Sequence, residues 1–414
     1  MALGIYISVP FCRSKCSYCN FASGVFSSAQ MGRYVGRLCA DIVSCRDASR
    51  QLGAIVPEDA DAVYLGGGTP SLLPAEELKK LFAVLRQEFR LAADAEITVE
   101  CAPGTIADAM LESLVACGVN RVSLGVQSFV NQEAASVARL HNHEKVVDDI
   151  ERLRRAGIGN INVDLIAGLP HQTPESWSYS LQNTIGCVVP HLSVYMLEVD
   201  EDSRLGRELM AGGSRYHAHF VPDDDATASF YESACEFFAA RGVDQYEISN
   251  FARPGFESRH NLKYWTRSPY AGFGVDAHSM LPSQPELQVQ QVESIRFATT
   301  DSYDEYLLAP QWKAMPVGIK EALEESFFLA LRLNRGVNLG DLQVQFGERL
   351  QRCRPIIDEL ISEGLLQQSE QKAGFVRLTP RGRLLSNDVF ARFIDGPENA
   401  GSENAGPESA RIPA

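Results

Sequence analysis

Six short strand-like runs, each followed by a helical pattern or a turn, succeed one another from Gly4 to Leu197. They are Gly4–Val9, Ala62–Leu65, Glu96–Cys101, Arg121–Val126, Asn160–Ile166 and Leu192–Leu197. Between the last of them lie clear helices. In Glu144–Ala156, Val146, Val147, Ile150 and Leu153 share one face, and Gly157 can close the helix. Thr173 followed by Pro174 reads as an N-cap and a first helical residue. Strands joined by crossover helices pair in parallel, so repeated β–α units imply a parallel sheet clad in helices. Six units are too few for an eight-fold barrel. They predict an α/β fold built on a partial (β/α)6 barrel of TIM type, with ligands at the C-terminal ends of its strands.

The rest of the chain changes character twice. Residues 241–299 are rich in Gly, aromatics and polar residues without a clear period, and are expected to form an extension beside the barrel mouth. Residues 300–394 carry helical runs at Ile319–Leu333 and Pro355–Glu363, then a short strand and turn at Gly374–Pro380. They predict a small helical, winged-helix-like C-terminal domain. The tail 395–414 repeats Glu-Asn-Ala-Gly at Glu398 and Glu403, is Pro/Gly-rich and is expected to be disordered. Residues 1–240 are then the barrel.

Acidic residues outnumber basic ones by 53 to 38, a net charge of -15, which argues against a broad nucleic-acid footprint. No apolar run reaches membrane-spanning length. Met1–Pro10 lacks the basic flank and long apolar core of a signal peptide, so a cytoplasmic location is expected. Ten cysteines there should be mostly thiols. Cys39, Cys45, Cys117, Cys187, Cys235 and Cys353 lack ligand spacing and read as small buried hydrophobes.

Cys12, Cys16 and Cys19 are different. They form C-x3-C-x2-C directly after the first strand, with Tyr18 before the third cysteine. Thiolates are the natural ligands of iron–sulfur clusters. Three thiolates on a four-iron cubane leave one iron open, as a catalytic metal site does. S-adenosylmethionine (SAM) can chelate that iron through its amino and carboxylate groups. Buried thiols, or a zinc site lacking its fourth ligand, are the alternatives.

Further polar residues recur at the predicted strand ends. Gly66-Gly67-Gly68-Thr69-Pro70 follows the second strand, and glycines let a ligand approach the backbone. It lacks the Lys of a phosphate-binding loop and the spacing of a dinucleotide fingerprint. Glu100 ends the third strand, Gln127 ends the fourth and Asp164 lies in the fifth. Arg139 is a candidate partner for one of these carboxylates or for that of SAM. An internal ion-pair network would use the same residue types.

Together these motifs carry a resemblance. Tyr6–Phe21 (YISVPFCRSKCSYCNF), Leu65–Leu72 (LGGGTPSL), Val126–Phe129 (VQSF), Val163–Pro170 (VDLIAGLP) and His260–Trp265 (HNLKYW) resemble the radical SAM coproporphyrinogen dehydrogenase family. The likeness is greatest to its heme chaperone branch, where HNxxYW is the more specific motif. The resemblance implies that Cys12, Cys16 and Cys19 ligate a [4Fe-4S] cluster. It implies that Tyr6 and Tyr18 flank SAM, and that Gly67, Gly68 and Thr69 contact its methionyl part. Glu100, Gln127, Arg139 and Asp164 would hold its ribose and carboxylate, and His260 would bind heme. Ser8 stands where the family usually has His, and Asp276 in FGVDAHS departs from its usual Gly-rich version. The dehydrogenase branch has a fourth cysteine two residues after the third; here it is Phe21.

Three functions are compatible with this pattern. The first is a chaperone that passes heme to an acceptor such as a respiratory oxidase, with an electron donor for its cluster. The second is an oxygen-independent coproporphyrinogen III dehydrogenase. The third is a radical SAM enzyme of heme breakdown. Phe21 and His260 favour the first.

Overall fold

Along the first strand, Leu3, Ile5, Ile7 and Val9 are wholly buried and alternate with Gly4, Tyr6 and Ser8. A period of two recurs on the following strands, with one difference from an ordinary sheet. One face carries Val63, Leu65, Val99, Val122, Leu124, Val163, Leu165, Leu192 and Val194, all buried. The other carries polar side chains that bond to one another across neighbouring strands, including Ser123, Asn162, Asp164, His191 and Ser193. A parallel sheet is normally apolar on both faces. A polar inner face must satisfy itself or hold a polar ligand.

In the computed structural model, residues 1–308, 312–369 and 372–394 are described. The tail expected at 395–414 lies outside the described residues. The first elements alternate as expected: β1 (Leu3–Val9), α1 (Ser28–Gln51), β2 (Asp59–Gly67), α2 (Ala75–Glu88), β3 (Arg90–Cys101), α3 (Asp108–Ala116) and β4 (Arg121–Gln127). They continue with α4 (Asn131–Ser136), α5 (His143–Arg155), β5 (Asn160–Ala167), α6 (Pro174–Gly186) and β6 (His191–Met196). β1 to β6 are parallel neighbours in chain order. Thr173 caps α6 in a capping box with Ser176, and Pro174 is its first residue.

The stretch without a period continues the same sheet. After α7 (Arg204–Ala211) and α8 (Asp224–Ala239) come β7 (Asp244–Gln245), β8 (Asn250–Ala252), α9 (Arg259–Trp265), β9 (Tyr270–Phe273) and β10 (His278–Pro282). Then follow α10 (Pro285–Val289), β11 (Val292–Ala298), α11 (Tyr303–Leu308) and β12 (Lys313–Gly318). β9 pairs in parallel with β1, and β8 runs antiparallel to β6. The order is β12-β11-β10-β9-β1-β2-β3-β4-β5-β6-β8-β7. β7 to β10, of two to five residues, are too short to show a measurable period in sequence. Asp276 has φ 56. The left-handed region is where Gly is usual and Asp among the better tolerated alternatives, which accounts for the family's Gly-rich turn.

The chain divides between Ile319 and Lys320, beyond the residue 300 expected from sequence, because β11 and β12 still pair with each other in the main sheet. The second unit contains α12 (Ile319–Ala330) from its second residue on, β13 (Val337–Asn338), α13 (Leu339–Phe346), α14 (Arg354–Ser362), β14 (Leu366–Gln368), β15 (Phe375–Leu378), α15 (Pro380–Leu384) and α16 (Ser386–Ile394). Its strands form a three-stranded antiparallel sheet, β13-β15-β14, beside the helices, the helix-and-wing composition expected.

Candidate functional site

The cysteine loop leaves β1 and is closed by backbone hydrogen bonds. Cys12 N donates to Gly24 O at 2.8 Å and Gly24 N donates to Pro10 O at 2.9 Å. Within it Cys19 N donates to Cys16 O at 3.4 Å, and Lys15 Nζ bonds Phe21 O at 2.9 Å. All three thiols are half-buried. Burial raises the thiols of Cys12 and Cys19; for Cys12 the neighbouring Cys19 and Cys16 add to the rise. Three thiolates held this close need a positive centre to offset burial and mutual repulsion, which suits an iron–sulfur cluster. Among the described residues no three His, Cys, Asp or Glu side chains are spaced for a single metal ion. Ligands of a cubane meet different irons, so they need not converge on one point.

The Gly-rich turn after β2 is packed against this loop by backbone. Thr69 N donates to Phe11 O at 2.7 Å. A Cβ on Gly68 would lie 2.7 Å from Val9 O and 2.8 Å from Phe11 N and O. No side chain fits there without moving the stem of the cysteine loop. Gly67 has φ +95, and a Cβ on it would meet Ser8 Oγ at 3.1 Å.

The remaining rim residues come from three strands. Glu100 Oε1 accepts from Tyr64 Oη at 2.8 Å. Burial, opposed by Tyr64 and then reinforced by Asp164, pushes its carboxyl up to about 7. Asp164 accepts from Ser123 Oγ at 3.0 Å and Asn162 Nδ2 at 2.7 Å, and burial raises it too. Gln127 sits at a bulge of β4 with φ 67. Gln127 Nε2 and the Arg139 guanidinium both flank Gly125, at 3.2 and 3.4 Å from where its Cβ would be. Arg139 Nη2 donates to Tyr18 Oη at 3.1 Å. Gln127 Oε1 and Arg139 Nε are buried without a hydrogen-bond partner. Such atoms are costly unless something polar meets them. A cavity of about 230 Å³ opens beside them, lined by Arg13, Cys16, Thr69, Gly104, Arg139 and Lys145 among others.

Cys12, Cys16, Cys19, Tyr18, Gly67, Gly68, Thr69, Glu100, Gln127, Arg139 and Asp164 thus lie at or just below the C-terminal ends of the strands. Tyr6 lies deeper, its ring stacked 6.2 Å from Tyr64. His260 is not brought to this rim. The helix α9 is fastened to the opposite strand ends, by Lys263 to Ala2 O at 2.8 Å and Asp61 at 2.7 Å, and by Arg259 to Asp94 at 3.1 Å. His260 is 1% exposed, stacks on Tyr6 and Tyr64, and its Nε2 bonds Tyr264 Oη at 2.8 Å. Burial, then Lys263 and Arg121, lower its pKa to about 3, so the ring is neutral. It forms part of the barrel floor.

Tyr64, Ser123, Asn162, Ser193 and Tyr195 belong to the polar lumen and were not singled out from sequence. Their signal was present as polar residues at every second position of otherwise apolar strands.

The chain matches two family models, the Radical SAM superfamily over residues 6–182 and the HemN C-terminal domain over residues 320–385. It is 32% identical to the heme chaperone HemW of Lactococcus lactis over 394 residues, covering 94% of this chain and 96% of that protein. It is 33% identical to HemW of Bacillus subtilis (94% and 98% covered) and 30% identical to HemW of Escherichia coli (95% and 98%). Among solved structures, the radical SAM enzyme coproporphyrinogen III oxidase (HemN) of E. coli superposes with a TM-score of 0.77 at 23% identity. The match covers 95% of this chain and 90% of that one.

Proposed function

The chain belongs to the HemW heme chaperone family of radical SAM proteins, and from that premise we propose that it binds a [4Fe-4S] cluster, SAM and heme, and delivers heme to an acceptor protein such as a respiratory oxidase. In this reading Cys12, Cys16 and Cys19 hold the cluster and leave one iron for SAM. When bound, that pair supplies one-electron chemistry. The chain's own part is to orient and shield. Gly67, Gly68 and Thr69 present backbone to the methionyl end, Tyr6 and Tyr18 flank the ligand, and Glu100 and Asp164 accept from ribose hydroxyls. Gln127 Oε1 and Arg139 Nε, unpartnered and buried, meet the remaining polar groups. A cytoplasmic location and a separate electron donor complete the proposal; no described helix is long and apolar enough to cross a membrane.

The observation that carries the chaperone reading over the dehydrogenase is Phe21. It is 42% exposed at the end of the cysteine loop, where the dehydrogenase branch places a fourth thiol. The full-length similarity to heme chaperones supports the same choice. His260 is less suited to ligating heme than its motif suggests, because α9 would have to leave the strands it caps to expose the ring. Its burial supports a role in closing the barrel.

Anaerobically purified protein should bind about one heme per chain and leave coproporphyrinogen III unchanged. Conversion of coproporphyrinogen III to protoporphyrinogen IX would overturn the chaperone reading. Absence of both activities would leave the radical SAM assignment alone.

A further inference from the structure

Gln127 is held in its place by a bent backbone. Its φ is 67, and Ser128 N donates to Val126 O at 2.9 Å across it. A three-residue turn closed in this way at positive φ is the strained form of the γ-turn. A side chain other than Gly keeps such a conformation only where the surroundings impose it. The turn aims Gln127 Nε2 back toward Gly125, beside the Arg139 guanidinium.

Two side chains grip this turn. From one side His141 Nε2–H donates to Val126 O at 3.0 Å. From the other, Glu133 Oε2 accepts from Ser128 Oγ at 2.7 Å, and Ser128 Oγ itself accepts from Val130 N at 2.9 Å. Glu133 is the third residue of α4 and is 1% exposed. The same carboxylate oxygen accepts from Gln172 Nε2 at 3.4 Å. Gln172 in turn fastens the end of β5, donating to Ile166 O at 3.1 Å and accepting from Gly168 N at 2.6 Å. After α4 the chain turns back at Arg139, whose N donates to Ala134 O at 3.0 Å. One carboxyl thus joins the ends of β4 and β5 to the helix that leads to Arg139. Its other oxygen is buried and has no hydrogen-bond partner among the described residues. Burying a carboxyl in that state opposes folding, and an apolar side chain of like size would fill the place at less cost. Groups of this kind gather where a ligand site must be held in a strained form.

We propose that Glu133 is a positioning residue of the SAM site: by holding Ser128 it keeps Gln127 in its strained turn, with the Gln127 side chain set beside Arg139. The proposal rests on the SAM reading above. Glu133 acts through Gln127, not by contact with the ligand. Without the bond from Ser128 the turn relaxes toward the extended backbone of β4, and the Gln127 amide no longer stands where SAM needs it.

The test is a SAM titration of cluster-loaded, full-length protein, followed by the paramagnetic resonance of the reduced cluster. Glu133→Leu removes the acceptor and keeps the bulk. It should weaken SAM binding about fivefold or more, the scale of one lost hydrogen bond, with iron per chain unchanged. Glu133→Gln keeps an oxygen for Ser128 and should bind SAM as wild type does. The decisive comparison is made in a Gln127→Ala background. There Glu133→Leu should change affinity by less than about twofold, because the group that Glu133 positions is gone. Ser128→Ala breaks the same bond from its other end and should match Glu133→Leu, so a Glu133→Leu chain that fails to fold leaves the proposal testable. Wild-type SAM affinity in Glu133→Leu or in Ser128→Ala would overturn the proposal. So would an equal loss in the two backgrounds, or Glu133→Gln as weak as Glu133→Leu, since either marks a merely structural role. Wild type that binds no SAM would sink the SAM reading itself, and this role with it.

Discussion

Replacing Glu100 by Gln should make the SAM-free protein more stable and bind SAM less well. Burial raises the Glu100 carboxyl from 4.5 to about 7. Between those values the folded chain holds a proton that the unfolded chain has lost, so stability falls as pH rises through that window and levels off above about 7. The gap, at about 1.4 kcal/mol for each pH unit, corresponds to about 3 kcal/mol at most. Glu100 is only half-buried, and solvent screening reduces this to about 1–2 kcal/mol. Gln keeps an oxygen to accept from Tyr64 Oη and carries no charge. Cluster-loaded Glu100→Gln without SAM should therefore unfold about 2–4 °C higher than wild type at pH 8.5 and match it near pH 4.5. SAM affinity should fall about tenfold or more, since hydrogen bonds to a charged acceptor contribute about 1.5–3 kcal/mol. Thermal unfolding at the two pH values and a SAM titration measure both effects. A variant no more stable than wild type at pH 8.5, or equally stabilised at both pH values, would refute the reasoning.

Replacing Cys12, Cys16 and Cys19 together by Ala should remove the roughly four irons and four sulfides expected per chain. A full complement in that variant would end the cluster assignment. Gly68→Ala forces a methyl against Val9 O and the Phe11 backbone, and should cost about 1–3 kcal/mol and lower iron content. Unchanged unfolding and iron content would show that the turn can relax. His260→Ala should cost about 3 kcal/mol through the lost ring and the orphaned Tyr264 hydroxyl while leaving heme affinity as in wild type. A drop in heme affinity without loss of stability would restore the ligand role to His260.

The barrel was legible because its signals are local. A period of two in six runs, Gly157 and the Thr173-Pro174 pair act within a few residues, and the spacing of Cys12, Cys16 and Cys19 lies within one loop. Glycines 66 to 68 were visible as a turn. Their need for Gly, though, differs from one to the next: Gly68 faces the backbone of Val9 and Phe11, while Gly66 faces Tyr64 and Glu100. β7 to β10 escaped notice because strands of two to five residues borrow their stability from the strands they pair with, not from their own composition.

Sequence by itself determined the parallel sheet, the cluster loop and the glycine turn, because each follows from chain geometry over short distances. Tertiary structure alone decided the partners. Asn162 meets Ser123 and His191 only because strand register aligns them on one face. α9 carries His260 to the barrel floor because Lys263 and Arg259 find Asp61 and Asp94 at the strand starts. His171 and His217, 46 residues apart, touch because α7 docks on the cysteine loop and brings the following segment back over β5. No local pattern encodes such meetings, since they depend on how separate elements pack, and it is these meetings that set which side chains can share a ligand.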